Sequence, residues 1–153
     1  MNDPRARKVS QAAMMSTADE TEASFYDAMQ QADLERMMAV WSDDEEIACV
    51  HPGGPRVVGT VAVRAGFEAI FANGPVHVQI HHVRRFESTA FAVHHVTEKV
   101  QAVDDKGGMR TAYVMATNVY VRTPVGWRMV AHHASSGMPQ ELPDITEPRT
   151  VLH

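Results

Sequence analysis

Residues 110–136 constrain the fold more than any other stretch of the sequence. They read as two long antiparallel strands joined by a turn at residues 123–126, which contains Pro124 and Gly126. The first strand is rich in β-branched and aromatic residues, and the second carries Trp127 and the His132–His133 pair. Strands this long and apolar need cover on at least one face. We therefore expect the rest of the chain to supply that cover.

Apolar residues spaced three and four apart predict three helices upstream of these strands. The predicted caps are Ser16 or Thr17 for the first helix, Asp33 for the second (34–41) and Thr60 for the third (61–71). A short strand at 47–51 separates the second and third helices. From residue 76 the apolar period changes to two, which predicts four strands joined by hairpins.

Helices followed by a run of hairpin strands predict an α+β domain, with the helices gathered on one face of a curved antiparallel sheet. A sheet that bends around helices leaves a hollow, the usual place for a ligand. The 153 residues suit a single domain. We assign residues 1–17 to a flexible N-terminal arm, 18–137 to the domain and 138–153, with its three prolines, to a C-terminal tail.

Composition excludes several classes of protein. The formal net charge is −5 and the sequence has no basic stripe, so we do not expect a nucleic-acid partner. No apolar run reaches the ~18 residues of a membrane span, and the N-terminus lacks the apolar core of a secretion signal. A single cysteine, Cys49, cannot form an internal disulfide. Together these features predict a cytoplasmic protein.

Strand alternation sorts the polar side chains by face. His94 and Glu98 share a face on one strand, and Asn118 and Tyr120 share a face on the next. The sequence leaves open which face the helices cover. If they cover this one, Glu98 lies in an apolar hollow, where a raised pKa suits general acid–base catalysis. Asn118 would then orient a substrate or support a developing oxyanion.

His51 ends a predicted strand, directly before Pro52 and two glycines. At the rim of the hollow it would be a second proton carrier in the neutral pH range. Both carriers have simpler structural explanations. Glu98 could pair with a cation on a neighbouring strand, and His51 could bond the backbone of its own loop.

Nine histidines raise the question of a metal site. Six of them form the adjacent pairs 81–82, 94–95 and 132–133, and adjacent residues on a strand point to opposite faces. Each pair therefore offers one ligand to any single site. Because no HExxH-like signature accompanies them, we predict no metal and no cofactor.

The order of elements, with GWRMVAHHASSG closing the last strand, resembles the nuclear-transport-factor-2-like superfamily, and SnoaL-like domains in particular. The shared pattern comprises Trp41, HPGG at 51–54, Glu98, ATN at 116–118 and the W-to-HHAS run at 127–135. The C-terminal half is also similar to the association domain of calcium/calmodulin-dependent protein kinase, whose W…H-x-H-x-S ending places its second histidine at His133.

The resemblance covers about residues 21–137 and implies a cone-shaped curved sheet with three helices on its concave side. It implies a catalytic set of Glu98, His51 and Asn118. The implied substrate-binding residues are Trp41, Phe67, Phe71, His94, Tyr120 and His133. The superfamily contains isomerases, cyclases, epoxide hydrolases and oligomerisation modules, so fold alone does not fix the reaction. The Asp base and Tyr/Asp oxyanion hole of its ketosteroid-isomerase-like members have no residue-by-residue match in this sequence.

Two functions are consistent with these features. The first is a cofactor-independent acid–base enzyme, of isomerase, cyclase or hydratase type, that acts on an apolar small molecule. The alternative is a non-catalytic ligand-binding or assembly module, in which changes at Thr117, Val119 or His132 would disturb oligomerisation. Either way, the apolar residues on the outer side of the sheet predict a homodimer.

Overall fold

The computed structural model describes residues 15–147. Its helices are α1 (Ala18–Gln31), α2 (Leu34–Val40) and α3 (Thr60–Phe71). Its strands are β1 (Ala48–Val50), β2 (Arg56–Val58), β3 (His77–Glu87), β4 (Phe91–Val103), β5 (Met109–Thr123) and β6 (Gly126–Ala134). The predicted α+β order is confirmed, and β2 is an additional short strand that the sequence did not predict.

Two of the three predicted helix caps are confirmed. The side chains of Thr17 and Asp33 each accept a hydrogen bond from the amide three residues later, at 3.1 and 3.0 Å. The prediction for Thr60 is wrong. Helix α3 begins after Gly59, whose φ of 89° suits a residue without a Cβ, and the Thr60 hydroxyl donates instead to the Asp43 carboxylate at 3.0 Å.

The six strands form one open sheet in the order β2-β1-β6-β5-β4-β3. The four long strands pair antiparallel, as predicted. Strand β1 departs from this expectation because it pairs parallel with β6, with Cys49 opposite His132. The chain already runs beside β6 in that direction at Trp41, which forms a parallel bridge with Met129.

The helices cover the face of the sheet that carries Glu98 and Asn118. Along β4 the buried positions are Ala92, His94, Val96 and Glu98, and the residues between them are exposed or half-buried. On β5, Asn118 and Tyr120 are fully buried. The structure thus answers the question that the sequence left open. The inner face is largely apolar, and its polar residues lie together.

The opposite side of the sheet, here called the outer face, has two parts. Directly paired residues on β3 to β6 form a polar row of Arg84, His95, Thr117 and His133. Towards the β3–β4 turn the same face is apolar. There the rings of Phe86 and Phe91 stack at 6.1 Å, with 61% and 40% of the two residues exposed.

Residues 138–147, here called the C-terminal segment, lie against the sheet. Met138 and Tyr113 exchange two backbone hydrogen bonds of 2.8 and 2.9 Å. At the other end Met15 is buried and its carbonyl accepts the Trp127 amide at 2.8 Å. The predicted arm and tail reach beyond the described residues, at 1–14 and 148–153, so the domain boundaries stay a prediction.

Within residues 15–147, no helix has both the length and the apolar character needed to cross a membrane.

Candidate active site

Glu98 lies on the inner face of β4 with only 5% of its surface exposed. One of its carboxyl oxygens accepts a hydrogen bond from the Tyr26 hydroxyl at 2.6 Å. The pKa of Glu98 is raised to about 7, chiefly by burial and also by the nearby Glu22 carboxylate, while the hydrogen bond from Tyr26 acts in the opposite direction. At neutral pH this side chain therefore both gives up and takes up a proton readily.

Tyr26 reaches Glu98 from helix α1. It follows Glu22 by four residues, so the two side chains stand one helical turn apart on the same side of the helix. Its hydroxyl donates to Glu98 and accepts from the Asn118 amide nitrogen at 3.1 Å. Burial, together with the charge of Glu98, holds the pKa of Tyr26 well above its usual value, so the hydroxyl keeps its proton and stays a donor.

Glu22 is a second buried carboxylate, only 2% exposed. One of its oxygens accepts three hydrogen bonds, from the His94 ring at 2.8 Å, the Tyr120 hydroxyl at 2.7 Å and the Asn118 amide at 3.3 Å. Three donors that converge on one oxygen fix the position of this carboxyl group. The site therefore contains two carboxyl groups with different surroundings: Glu22 accepts three hydrogen bonds, and Glu98 accepts one.

Asn118 links the two carboxylates. Its amide nitrogen donates to both Glu22 and Tyr26, and its oxygen accepts a short hydrogen bond from the His132 ring. Every polar atom of this fully buried side chain is used. Such full use fixes its orientation, so Asn118 holds the donor network in place and keeps its amide nitrogen beside Tyr26 and Glu22.

His132 was predicted to lie on the outer face, and this prediction is wrong. The residue is buried on the inner side, where its ring contacts Phe25 at 4.9 Å and donates to Asn118. Burial lowers its pKa to about 3, so the ring is neutral at physiological pH. His133 points the other way and is exposed. The structure therefore does not bring the predicted substrate contact His133 to this site, and its neighbour takes that place.

His51 is half-buried and packs edge-on against Phe67, with the ring centres 4.9 Å apart. Its ring nitrogen lies 3.6 Å from the Cys49 sulfur. Burial lowers the pKa of His51 and raises that of Cys49 to about 12, so the pair is a neutral imidazole beside a neutral thiol. When His51 is protonated, it is near enough to His132 for its charge to lower the pKa of that ring.

Aromatic side chains form the apolar side of the interior. Trp41 and Phe67 are buried with ring centres 6.2 Å apart, and the half-buried Phe71 packs on Phe67 at 5.8 Å. Two buried polar atoms, Trp41 Nε1 and His94 Nε2, have no hydrogen-bond partner among the described residues. Trp41 Nε1 is an N–H donor, whereas His94 Nε2 is an acceptor because Nδ1 of the same ring donates to Glu22. A buried donor or acceptor without a partner is costly, so these atoms are candidate contacts for a polar group of a ligand.

A cleft of about 270 Å³ opens beside this interior, between the start of α1 and the end of β3. It is lined by Asp19, one turn before Glu22, and by Ala92, two residues before His94 on the same face. Ligand atoms of Asp19, Glu22 and His94 lie within 4.8 Å of one another, a spacing that a metal ion could bridge. Arg85 already donates to Asp19 at 2.8 Å, however, and supplies a positive charge there.

The sequence-predicted residues Glu98, Asn118, His94 and Tyr120 thus come together, but Glu22 and Tyr26 were missed. Glu22 was interpreted only as an acid suited to the first turn of a helix. The available signal was spacing: Glu22 precedes the buried Phe25 by three residues, and so extends the apolar stripe of α1. A carboxylate buried in this stripe needs hydrogen-bond donors from the opposing sheet.

Comparisons with known proteins agree with this architecture. A sequence model of the SnoaL-like domain matches residues 19–140. A Thiobacillus denitrificans structure, described as a calcium/calmodulin-dependent protein kinase type II association domain, is 36% identical, with 80% of this chain and 97% of that chain covered at a TM-score of 0.72. A Streptomyces avermitilis structure, described as a dehydratase of the nuclear-transport-factor-2-like family, is 28% identical, with 86% and 97% covered at a TM-score of 0.68.

At 21% identity, the S. rosetta CaMKII hub shares the fold, with 78% of this chain and 92% of that chain covered at a TM-score of 0.61. None of the curated proteins matches the chain.

Proposed function

Because the chain belongs to the SnoaL-like family, we propose that it is a cofactor-independent enzyme that moves protons on an apolar small molecule, as in isomerisation, cyclisation or dehydration. The observation that carries this proposal is the buried Glu98–Tyr26 pair, joined at 2.6 Å. A family of small-molecule-binding and enzyme-type domains supplies the context, and the pair supplies the chemistry.

Glu98 acts as the proton carrier in this proposal. With a pKa of about 7, its neutral form donates a proton to a substrate and its ionised form removes one. When ionised Glu98 takes a proton from the substrate, it no longer needs the Tyr26 proton, so the Tyr26 hydroxyl, which stays protonated, can donate to the enolate-like oxygen that forms. The sequence predicted Glu98 as the acid or base, and Tyr26 is the partner that it did not reveal.

Asn118 and Glu22 position this pair, and His51 is a neutral second base on the apolar side. Trp41, Phe67 and Phe71 favour an apolar substrate body. Since Glu98 and Asn118 are almost inaccessible, a substrate has to displace a side chain of the cluster to reach them. The unpaired donor Trp41 Nε1 is available to a carbonyl or hydroxyl oxygen of such a substrate, and the unpaired acceptor His94 Nε2 is available to a hydroxyl group.

Turnover by a Glu98→Gln variant tests the proposal. The purified protein is incubated with a panel of apolar unsaturated ketones and β-hydroxyketones, and products are identified by mass spectrometry. We expect wild-type turnover of at least one compound class and a loss of at least 100-fold in Glu98→Gln, because glutamine cannot carry a proton. The exposed Glu68→Gln on α3 is the matched control and should retain full activity.

Binding measurements separate the enzyme from a mere ligand-binding domain. If Glu98→Gln still binds the compound, as judged by a thermal shift, while turnover disappears, the catalytic role stands. Equal turnover in Glu98→Gln and wild type would refute it.

A second candidate function is an assembly module. It is favoured by the 36% identity to the association-domain structure and by the exposed Phe86 and Phe91 on the outer face. Under this alternative Glu98→Gln changes nothing, whereas substitutions of the outer face change the oligomeric state.

A further inference from the structure

The C-terminal segment carries a carboxylate at every third position, Glu141, Asp144 and Glu147, with Pro139 before the first and Pro143 between the first and second. Residues 141–146 form neither helix nor strand. In an extended polyproline-like chain, every third side chain points in the same direction. Glu141 and Asp144 both face β3, as this spacing predicts, and are here called the acidic edge.

Two basic side chains on β3 match this edge. The His81 ring pairs with Glu141 at 2.9 Å, and the Arg84 guanidinium pairs with Asp144 at 2.6 Å. His81 and Arg84 are three positions apart on β3, and their partners Glu141 and Asp144 are three positions apart on the C-terminal segment. Three residues of an extended strand span about 10 Å, and three residues of a polyproline-like chain span about 9 Å, so the two ladders stay in register.

A β-bulge makes this match possible. The pairing of β3 with β4 shifts between Ile80 and His82, which leaves His81 without an opposite residue. Without the bulge, His81 and Arg84 would point to opposite faces, since they are an odd number of residues apart. The bulge turns His81 towards the outer face, where it lines the same cleft wall as Arg84.

The C-terminal segment leaves part of its groove open. A cleft of about 450 Å³ lies between residues 144–146 and the outer face, and it is lined by His82, Arg84, His95 and Thr117. Beyond the two ion pairs, His82, His95 and Thr117 add further hydrogen-bonding side chains. The groove is therefore wider than the segment that occupies it.

We propose that this part of the outer face is a docking groove for an acidic, proline-containing extended peptide, and that the chain's own C-terminal segment occupies it in cis until such a peptide replaces it. Exchange is feasible because the contacts are shallow. The side chains of both ion pairs are 40% to 52% exposed, and exposed ion pairs contribute little to stability. The segment stays in place chiefly because it is tethered.

A labelled peptide of residues 138–147 tests the groove by fluorescence anisotropy against the full chain. In wild type the tethered segment competes, so we expect weak binding. In the Glu141→Gln/Asp144→Asn variant the cis ion pairs are lost, and the peptide should bind at least tenfold more tightly. Adding Arg84→Gln to that variant should reverse the gain, whereas adding Arg122→Gln, at an exposed arginine outside the groove, should not.

A scrambled peptide with its three carboxylates adjacent tests the three-residue spacing and should bind at least tenfold more weakly. Circular dichroism verifies that each variant is folded. The proposal is overturned if the peptide fails to bind the Glu141→Gln/Asp144→Asn variant, or if it binds equally well with and without Arg84. It is also overturned if the scrambled peptide binds as tightly as the native sequence.

Discussion

Glu98 keeps its proton to about pH 7, while an ordinary glutamate loses it near pH 4.5. The unfolded chain therefore releases this proton earlier than the folded chain as pH rises. Folding stability due to Glu98 is complete below pH 4.5 and is lost between pH 4.5 and 7. The loss amounts to about 3 kcal/mol. His132 has the opposite sign, since its lowered pKa costs stability as pH falls from 6.5 towards 3.

Glu98→Gln should therefore be more stable than wild type at pH 8, by up to about 3 kcal/mol, and not at pH 4.5. Glutamine has no charge to lose and its oxygen still accepts from Tyr26. Urea unfolding at the two pH values measures the difference, and because His132 titrates in both proteins its effect cancels. Identical pH dependence in the two proteins would rule out a buried, proton-holding Glu98. In the exposed Glu68→Gln the wild-type pH dependence should persist.

At this scale the sequence predicted more about strands than about helices. Alternation on β4 and β5 correctly grouped His94 with Glu98, and Asn118 with Tyr120. It could not identify the inward face, which depends on helices distant in sequence. Tyr26 was missed for the same reason, because its role comes from a contact across 72 positions.

At the scale of elements, helix α1 ends in an unfavourable way. Its C-cap, Ala32, has φ 50° and ψ 41°, the left-handed conformation that glycine adopts without a Cβ penalty. The strain arises because the chain must turn at once into α2, whose cap Asp33 follows directly. A sequence pattern identifies the break between helices but not the dihedral angles required of the residue that makes it.

Ala32→Gly should therefore stabilise the protein by about 0.5–1 kcal/mol, since relief of the Cβ strain exceeds the added entropy of the unfolded chain. Ala72→Gly is the matched control. Ala72 caps α3 in a right-handed conformation, so glycine there should bring no gain and a small loss. Chemical denaturation measures both. Equal effects of the two substitutions would show that the conformation of Ala32 is unstrained.

For the whole molecule, the pattern of the outer face suggests self-association through its apolar part. Phe86 and Phe91 stack in the open, next to half-buried valines of β4 and β5, while the C-terminal segment covers the polar part. Strand order and fold class followed from the sequence because hairpins are local. The parallel placement of β1 did not, because β1 and β6 lie far apart in the sequence.

Phe91→Asp should shift the protein towards monomer by placing a charge in that apolar patch. Sedimentation velocity over a range of concentrations measures the shift. Val61→Asp is the control, because Val61 is 84% exposed but lies on α3, away from the sheet. If Phe91→Asp sediments like wild type and Val61→Asp, the apolar part of the outer face is not the contact between copies.

The closed interior has a kinetic consequence. Glu22, Glu98 and Asn118 satisfy one another behind a nearly continuous surface, so a small molecule arriving by diffusion meets a protein whose reactive groups are covered. A small molecule can enter only those protein molecules in which this cluster has opened. The frequency of that opening, rather than the frequency of collisions, then limits how fast any compound reaches Glu98.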